Sequence, residues 1–270
     1  MSRTAAPPVV LTIAGSDNSA GAGLQADSKT ITALGGYALT AVTCVVAEVP
    51  GKVSMIQPIR AAVVAEQIKL SFEAFPVAAV KTGMLHSAAI IDAVINALLA
   101  ATIGNKVKPT LVVDPVMVAS SGDLLLKPAA LRAYRRALLP LATLVTPNLN
   151  ELEVLADRRI ANVREMEAAG AALAAEFGVA FLLKGGHLRG REAVDVLVEP
   201  GGRRERFVAP FIRGADPHGT GCTYSAAIAT GLARGLSLRE SVGEAKQFIT
   251  RAIERRHRWG RTEILAQEGR

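Results

Sequence analysis

The sequence predicts an α/β fold in which helices flank a mostly parallel central sheet. Runs rich in β-branched residues alternate with segments of helical period, and Gly, Pro or Asn bounds each run. Hydrophobic residues make up 50% of the 270 residues but aromatics only 4%, so Ala, Val, Leu and Ile must build most of the core. Since no repeat, linker or low-complexity tract interrupts this alternation, we expect one domain over residues 1–270.

The first half of the chain is predicted to alternate strands with helices. A wholly apolar strand comes first and ends in a glycine-rich turn, and the helix after it stops at Gly35-Gly36, a typical glycine C-cap. Residues 48–58 are predicted to lie outside the regular alternation of strands and helices, as an irregular segment. The predicted strands are 9–14, 37–47 and 77–80, and the predicted helices are 25–34, 64–72 and 91–99.

The second half continues the pattern and then changes to a hairpin. Gly201-Gly202 lies between two short apolar runs and predicts an antiparallel pair. Ser237 and Glu240 have capping-box spacing and predict the start of the last long helix. The predicted strands are 111–113, 143–145, 179–183, 194–198 and 206–208, and the predicted helices are 129–138, 219–234 and 237 onward.

Charge and cysteine content limit the classes of protein to consider. The formal net charge of +7 suits phosphate-bearing ligands and equally suits solubility alone, whereas the five arginines between residues 251 and 261 lack the fold signature of a nucleic-acid module. Cys44 and Cys222 are too few for a disulfide framework or a tetrahedral zinc site. No apolar run reaches the ~18 residues of a membrane span, and the first residues lack signal-peptide features. We therefore expect a cytoplasmic protein with neither membrane nor nucleic-acid partners.

A glycine-rich turn, residues 15–23, follows the first strand. Ligands of parallel sheets bind beyond the carboxyl ends of the strands, so this turn is a candidate site. Its glycines allow a close approach of the backbone to a ligand, but their spacing fits neither the dinucleotide fingerprint nor the P-loop. A ligand contact and a plain strand-to-helix turn both remain open.

A second candidate is the segment 214–223, just before an Ala-rich helix. Gly219, Thr220 and Gly221 place several backbone amides at a helix N-terminus, where the helix dipole favours an anion. Cys222 lies in the first turn, so we expect the dipole to lower the pKa of its thiol and the thiolate to accept a proton from a substrate hydroxyl. The alternative is a small buried cysteine without a chemical role.

Three further clusters follow predicted strands. Asn148 and Glu151, three residues apart, can hold a hydrated Mg²⁺ or can form an ordinary helix N-cap. Lys184, at a strand end before Gly185-Gly186, can reach a nucleotide phosphate, and we expect His187 and His218 to be structural. The polar stretch 114–123 has a length that suits a flap over a site.

Taken in order, these segments resemble the hydroxymethylpyrimidine/phosphomethylpyrimidine kinases of thiamine biosynthesis, members of the ribokinase-like superfamily. The similarity extends from about residue 10 to 252, and the sequence does not decide whether the tail 259–270 is ordered. It is carried by LTIAGSD at 11–17, AGLQADSKT at 22–30, KTGMLHSA at 81–88, VVDPVM at 112–117, LLPLATLVTPNLNELE at 138–153, LLKGGHL at 182–188 and HGTGCT at 218–223.

The resemblance implies a ribokinase-like three-layer fold, ATP as phosphoryl donor, Mg²⁺, a monovalent cation in some relatives, and a homodimer. It places the anion hole at Gly219, Thr220, Gly221 and Cys222, with Cys222 where other superfamily members carry an aspartate base. The implied pyrimidine pocket is Gly15, Ala22, Asp27, Val46, Glu48, Met84 and Val116. Nucleotide contacts are assigned to Lys184, Asn148, Thr146 and Gly185, and the metal to Glu151 and Asp114.

Four positions depart from the family pattern. Glu48 replaces a usual glutamine, and an ionised carboxylate only accepts hydrogen bonds, so ring recognition is expected to differ. Ala20 replaces a glycine and would narrow the entrance, Pro217 replaces a threonine, and Ser120 stands where lysine is frequent. We hypothesise that these changes favour the phosphorylated substrate over the free alcohol.

The implied activity is ATP-dependent phosphorylation of 4-amino-5-hydroxymethyl-2-methylpyrimidine phosphate, and also of the free alcohol. Three alternatives remain open at this point. The nearest is a pyridoxal kinase of vitamin B6 salvage, which Glu48 makes more credible. The others are a pyrimidine- or nucleotide-binding regulator without turnover, and a nucleic-acid-binding protein that would rest on the basic charge alone.

Overall fold

A computed structural model describes residues 6–103, 109–117, 128–186, 188, 191–215 and 218–268. The strands in this part are β1 Val9–Asp17, β2 Tyr37–Val49, β3 Lys52–Pro58, β4 Val77–Thr82, β5 Thr110–Val113, β6 Leu144–Val145, β7 Ala180–Leu183, β8 Glu192–Val198, β9 Arg204–Pro210, β10 His257–Trp259 and β11 Thr262–Ile264. The α-helices are α1 Gly23–Ala33, α2 Ala61–Ala74, α3 Ala88–Thr102, α4 Pro128–Ala133, α5 Leu149–Ala156, α6 Val163–Phe177, α7 Thr220–Ala233 and α8 Leu238–Glu254.

Within the described residues, nine strands form one sheet in the order β3-β2-β1-β4-β5-β6-β7-β8-β9. The six strands from β2 to β7 are mutually parallel, whereas β3, β8 and β9 run antiparallel to their neighbours. The chain moves from β1 outward to β2 and later returns to the other side of β1 with β4. This reversal leaves a crevice at the carboxyl ends of β1 and β4, where ligands of such sheets bind.

Two apolar clusters cover the two faces of the sheet and make three layers. One face packs against residues of α2 to α6, for example Ile68, Ile91 and Leu173. The other packs against α1, α7 and α8, for example Ile31, Ile228 and Phe248. The predicted α/β class with a mostly parallel sheet and flanking helices is therefore confirmed.

Local sequence explains where several helices begin. The Ser87 and Asn162 side chains accept hydrogen bonds from backbone amides two residues into α3 and α6. Ser237 and Glu240 form the predicted capping box of α8, with both reciprocal hydrogen bonds present. Helix α6 ends at Gly178, whose positive φ of 68° terminates the helix.

Two local predictions need correction, and one question that the sequence left open is answered. Residues 48–58 are not irregular, because β2 continues to Val49 and Lys52–Pro58 pairs with it as an edge strand. The predicted helix 129–138 is α-helical only to Ala133 and continues as a π-turn, Tyr134–Leu138. The tail is ordered through residue 268, since β10 and β11 form a hairpin. Ser120, His187, Pro217 and most of the predicted flap lie outside the described residues.

Among the described residues, we find no helix whose length and apolar character would suffice for a membrane span.

Candidate active site

The glycine-rich turn after β1 is organised by Asp17. Its carboxylate accepts hydrogen bonds from the Ser19 amide (2.6 Å) and hydroxyl (2.9 Å) and from the Ala22 amide (2.8 Å), and it lies 3.1 Å from His218 Nε2. Burial disfavours the ionised carboxyl, but the hydrogen bonds from His218, Ser19 and Ala22 outweigh burial and lower the pKa of Asp17 to about 2. Asp17 and His218 therefore hold the turn in place, which agrees with the structural role expected for His218.

Ala20 occupies the one position in this turn where a side chain is strained. Its φ is 57°, in the left-handed region where an L-residue costs roughly 1–2 kcal/mol. Glycine adopts a positive φ without this cost, which explains why the family pattern has glycine at this position.

We predict that Ala20→Gly raises the free energy of unfolding by about 0.5–1 kcal/mol, because relief of strain exceeds the added entropy of the unfolded chain. Urea denaturation followed by circular dichroism would measure the change. Ala172→Gly, on the exposed face of helix α6, is the matched control and should lower stability by about 0.5–1 kcal/mol. A destabilised Ala20→Gly protein would contradict the prediction.

The predicted anion hole lies at the start of α7. Gly219 is the N-cap residue with φ 88°, and a Cβ there would overlap the Gly21 carbonyl oxygen. The first amides of a helix have no acceptor within the helix, and the dipole adds partial positive charge at the same place. Only glycine allows the α7 start to touch the turn after β1, so the two predicted segments form one continuous backbone surface.

Cys222 lies in the first turn of α7, as expected, but its ionisation differs from the prediction. The side chain is partly accessible, and the Gly23 amide donates a hydrogen bond to its sulfur. Burial, assisted by the charges of Asp27 and Asp114, raises the pKa of the thiol to about 11, although Lys81 acts in the opposite direction. The expected lowered pKa is therefore wrong for the ligand-free site, because desolvation exceeds the favourable charges.

Lys184 and Asp114 form an ion pair against this helix start. Lys184 Nζ lies 2.9 Å from Asp114 Oδ1, and a Cβ placed on Gly221 would be 3.1 Å from Nζ. Thr146 and Ser225 donate hydroxyl hydrogen bonds to the same carboxylate, at 3.2 and 3.3 Å. Despite burial, Lys184 and then Lys81 lower the pKa of Asp114. A cation and a carboxylate thus lie beside the predicted anion hole.

Asn148 and Glu151 join this group from the start of α5. Asn148 Oδ1 accepts from the Glu151 amide (2.9 Å) and Glu151 Oε2 from the Asn148 amide (2.8 Å), so the N-cap interpretation describes this pair. Burial raises the pKa of Glu151 to about 8, with Lys184 lowering it and Asp114 raising it. Lys184 also hydrogen-bonds Pro147 O through its amide, which brings the strand ends together.

The donor set of this region fits Mg²⁺. Asp114 and Glu151 are buried carboxyls that repel each other, and hard carboxylate oxygens are the ligands that Mg²⁺ prefers. A different group, Asp17, Glu48 and His218, brings three potential donor atoms within 4.8 Å of one another in the described part of the chain. Its His218–Asp17 hydrogen bond already accounts for that proximity.

Some residues of the predicted pyrimidine pocket lie close together around β1 and β2, and others lie in the neighbouring turns. A Cβ on Gly15 would lie 2.9 Å from Cys44 Sγ and 3.7 Å from Val46, so Gly15 leaves space directly beside Val46. The Glu48 carboxylate lies 3.9 Å from His218 Nε2. Burial and then Asp17 raise the pKa of Glu48, while His218 lowers it. Ala22, Met84 and Val116 occupy the neighbouring turns, after β1, β4 and β5.

Asp27 lies beneath this pocket and is fully buried. Lys81 Nζ contacts both of its carboxylate oxygens, at 2.9 and 3.0 Å, and the Thr12 hydroxyl donates to it at 2.5 Å. Burial alone would lower the pKa of Lys81, but the attraction of Asp27 outweighs it and the pKa is raised. Sequence reasoning missed Lys81, although a lysine that ends a buried apolar strand is itself a signal of a buried partner.

Two wide surface grooves lie elsewhere on the molecule. Their volumes are about 930 and 740 Å³, and they share Arg135 and Glu176 among their lining residues. None of the predicted site residues lines either groove. The candidate site is therefore defined by converging polar groups at the sheet edge and not by these two grooves.

An α/β sheet with a helix N-terminus, a lysine and buried carboxylates at one edge supplies the positioning and charge neutralisation that phosphoryl transfer requires, as in a small-molecule kinase of the ribokinase-like class. Residues 17–266 match the family model described as phosphomethylpyrimidine kinase. The chain belongs to the phosphomethylpyrimidine kinase family. The resemblance identified from the sequence is thereby confirmed.

Curated relatives carry related names. The hydroxymethylpyrimidine/phosphomethylpyrimidine kinase of Rhizobium meliloti is 42% identical over 246 residues, which cover 91% of this chain and 90% of that protein. The thiamine biosynthesis bifunctional protein of Geobacter sulfurreducens is 44% identical over 264 residues, 96% of this chain. The match covers only 53% of that longer protein, so the chain spans about half of it.

Solved structures share the fold over nearly the whole chain. The phosphomethylpyrimidine kinase of Clostridium difficile is 39% identical, with a TM-score of 0.77 and coverage of 91% of this chain and 99% of that one. The pyridoxal kinase of Staphylococcus aureus, solved with AMP-PCP and pyridoxal, is 32% identical with a TM-score of 0.87, covering 98% and 95%. Kinases named for two different acceptors, phosphomethylpyrimidine and pyridoxal, therefore share this fold. Fold similarity alone does not tell which acceptor this chain uses.

Proposed function

We propose that this protein transfers the γ-phosphoryl group of ATP to 4-amino-5-hydroxymethyl-2-methylpyrimidine phosphate, and also to the free alcohol, in thiamine biosynthesis. The family match and the names of the curated relatives support this assignment. The structural observation that carries it is the contact of the Lys184–Asp114 pair with the Cys222-bearing start of α7. Phosphoryl transfer needs positioning and charge neutralisation, and these groups can supply both.

In the proposed mechanism, the amides of Gly219, Thr220, Gly221 and Cys222 hold the transferring phosphoryl group. Lys184 balances its charge, and Gly185, Thr146 and Asn148 lie where the nucleotide phosphates would approach. When the acceptor is an alcohol, Cys222 accepts the proton in its thiolate form, after the thiol proton has been released to solvent. The phosphate of the monophosphate substrate is already largely ionised near pH 7, so the second reaction does not require that base.

Asp114 and Glu151 would hold Mg²⁺ in this proposal. The ion would neutralise the charge of the ATP phosphates and of the two carboxylates. Lys184 already pairs with Asp114 and lies in the field of Glu151, so it would keep the carboxylates and the phosphates oriented toward each other. A monovalent cation remains part of the proposal on the family resemblance alone.

A direct assay of acceptor choice tests the proposed function. ADP formation by the purified chain would be followed with hydroxymethylpyrimidine, its monophosphate and pyridoxal, each with and without Mg²⁺. We expect turnover of both pyrimidines and a lower kcat/KM for pyridoxal. Turnover of pyridoxal alone would replace the assignment by the vitamin B6 alternative, which the family model and the names of the curated relatives do not favour. No ADP formation with any acceptor would favour the regulator without turnover.

Glu48 is proposed to set the preference between the two pyrimidines. When ionised, its carboxylate cannot donate a hydrogen bond to a ring nitrogen. We predict that the wild type favours the monophosphate and that Glu48→Gln raises kcat/KM for the free alcohol by about tenfold, the value of one good hydrogen bond. Equal kcat/KM ratios for the two proteins would end this idea.

We further propose that residues 1–270 act as one domain in the cytoplasm and that two copies form a homodimer. The continuous sheet and the two core clusters support the single domain. Exposed apolar side chains on the β2–β3 pair, Val45, Val49, Val53 and Met55, offer a surface that a second copy could cover.

A further inference from the structure

The C-terminal strap, residues 262–268, leaves the surface hairpin and enters the protein beside the proposed site. Strand β11 pairs with β10, and Glu263 forms ion pairs with Arg256 and Arg258 at 2.7 and 2.6 Å. Beyond β11 the Ala266 amide bonds to Ala252 O of helix α8 at 3.2 Å. Leu265 and Gln267 are fully buried, so the strap is anchored in the protein rather than lying on its surface.

Gln267 joins the two backbone segments that make up the proposed site. Its Nε2 donates to Gly21 O (3.1 Å) in the turn after β1 and to Thr223 Oγ1 (3.0 Å) in the first turn of α7. Ile264 bridges to His218, the residue that precedes the α7 N-cap. The strap therefore contacts both sides of the junction between Gly21 and Gly219.

The two hydrogen bonds of the Gln267 side chain are both donated by its Nε2. Its Oε1 is buried and has no hydrogen-bond partner among the described residues. A buried unpartnered carbonyl lowers stability, so an apolar residue of the same size would remove that cost together with the two hydrogen bonds. The same replacement would also leave Gly21 O and Thr223 Oγ1 without this donor, so the two N–H contacts are what the glutamine side chain contributes here.

We propose that Gln267 is a positioning residue that fixes the turn after β1 relative to the anion-binding start of α7. The inference rests on the proposed function, because it assigns the acceptor to one segment and the phosphoryl group to the other. Several hydrogen bonds cross the junction, among them the Asp17–His218 bond, the bond from the Gly23 amide to Cys222 Sγ and the two bonds of Gln267. Loss of the two Gln267 bonds lets the segments shift, and a shift of about 1 Å can cost 10²-fold in rate.

The variant Gln267→Met removes both hydrogen bonds and keeps the volume of the side chain. We expect kcat for the pyrimidine alcohol to fall at least tenfold, the KM for ATP to stay within twofold, and the Tm to change by no more than about 4 °C. Glu268→Gln, the exposed neighbour in the strap, is the control and should leave kcat unchanged. A kcat within twofold of wild type in Gln267→Met would overturn the proposal.

A double-mutant cycle with Thr223→Val tests the hydrogen bond itself. If Gln267 acts through Thr223, the double variant loses little more kcat than Gln267→Met alone. Fully additive losses would overturn this part of the proposal.

Amide hydrogen exchange gives a readout that does not depend on kinase activity. In Gln267→Met, exchange should quicken in residues 15–24 and 219–224 and stay unchanged in the central strands β4 and β5. Unchanged exchange in both turns, or a uniform increase over the whole sheet, would overturn the proposal. Since the same experiment works on an inactive protein, failure of the proposed function and failure of this inference are separable.

Discussion

Replacing Cys222 with serine is expected to lower kcat for the pyrimidine alcohol by roughly 10² to 10⁴, with little change in the KM for ATP. The backbone amides at the start of α7 remain, but a hydroxyl ionises far less readily than a thiol, so far less of the anion that accepts the proton is present. With the monophosphate as acceptor the loss should be much smaller, because its attacking oxygen is already ionised near pH 7. Steady-state kinetics with both acceptors would measure the difference.

The pH profile separates a base from a merely structural cysteine. The pKa of the Cys222 thiol, about 11, lies above neutral pH, so the thiolate fraction rises about tenfold for each pH unit between pH 7 and 9. The kcat/KM for the alcohol should rise with it in the wild type and lose that slope in Cys222→Ser. An unchanged rate in Cys222→Ser, or equal losses with the two acceptors, would remove Cys222 as the base.

Lys81→Met is expected to produce the largest loss of stability, about 3–5 kcal/mol in the free energy of unfolding. The variant removes the cation from a fully buried ion pair and leaves the Asp27 carboxylate with only the Thr12 hydroxyl among the partners seen here. Chemical denaturation followed by circular dichroism would measure it. Methionine fills most of the lysine volume, so the change reports the charge rather than a cavity.

The double variant Asp27→Asn, Lys81→Met is the control for that interpretation. It leaves no buried charge in the pair and should recover a large part of the lost stability. Lys69→Met removes an exposed lysine that pairs with Glu66 and Glu73 on α2, and its stability should be indistinguishable from wild type. A double variant as unstable as Lys81→Met alone would show that the ion pair does not explain the effect.

Short-range patterns predicted most of the elements and the edge of the sheet at which the site lies. Hydrophobic runs located β1, β4, β5 and β7 to within a few residues, and Ser237 with Glu240 located the start of α8. The prediction of an irregular segment at residues 48–58 is wrong because β3 is an exposed edge strand without a buried apolar face. Its strand conformation follows from pairing with β2, which local sequence does not encode strongly.

Residues at strand ends are predicted from the sequence to lie close together, because parallel topology brings such ends to one edge of the sheet. Asp114, Lys184 and Gly221 lie close together there, although Asp114 and Gly221 are 107 positions apart in the sequence. The Lys81–Asp27 pair, the Thr223–Gln267 contact and the raised pKa of Cys222 were not predicted. Each depends on which groups are desolvated together, and that is a property of the assembled core.

The sequence by itself determined the α/β class, the family, and the glycine, lysine and cysteine segments from which the proposed site is built. Only the tertiary structure decided that Asp27 is paired rather than free, that the pKa of the Cys222 thiol is raised rather than lowered, and that Gln267 hydrogen-bonds Gly21. The physical reason is range. Helix and strand periodicity act over a few residues, whereas burial and hydrogen bonding act between groups such as Gly21 and Gln267, 246 positions apart.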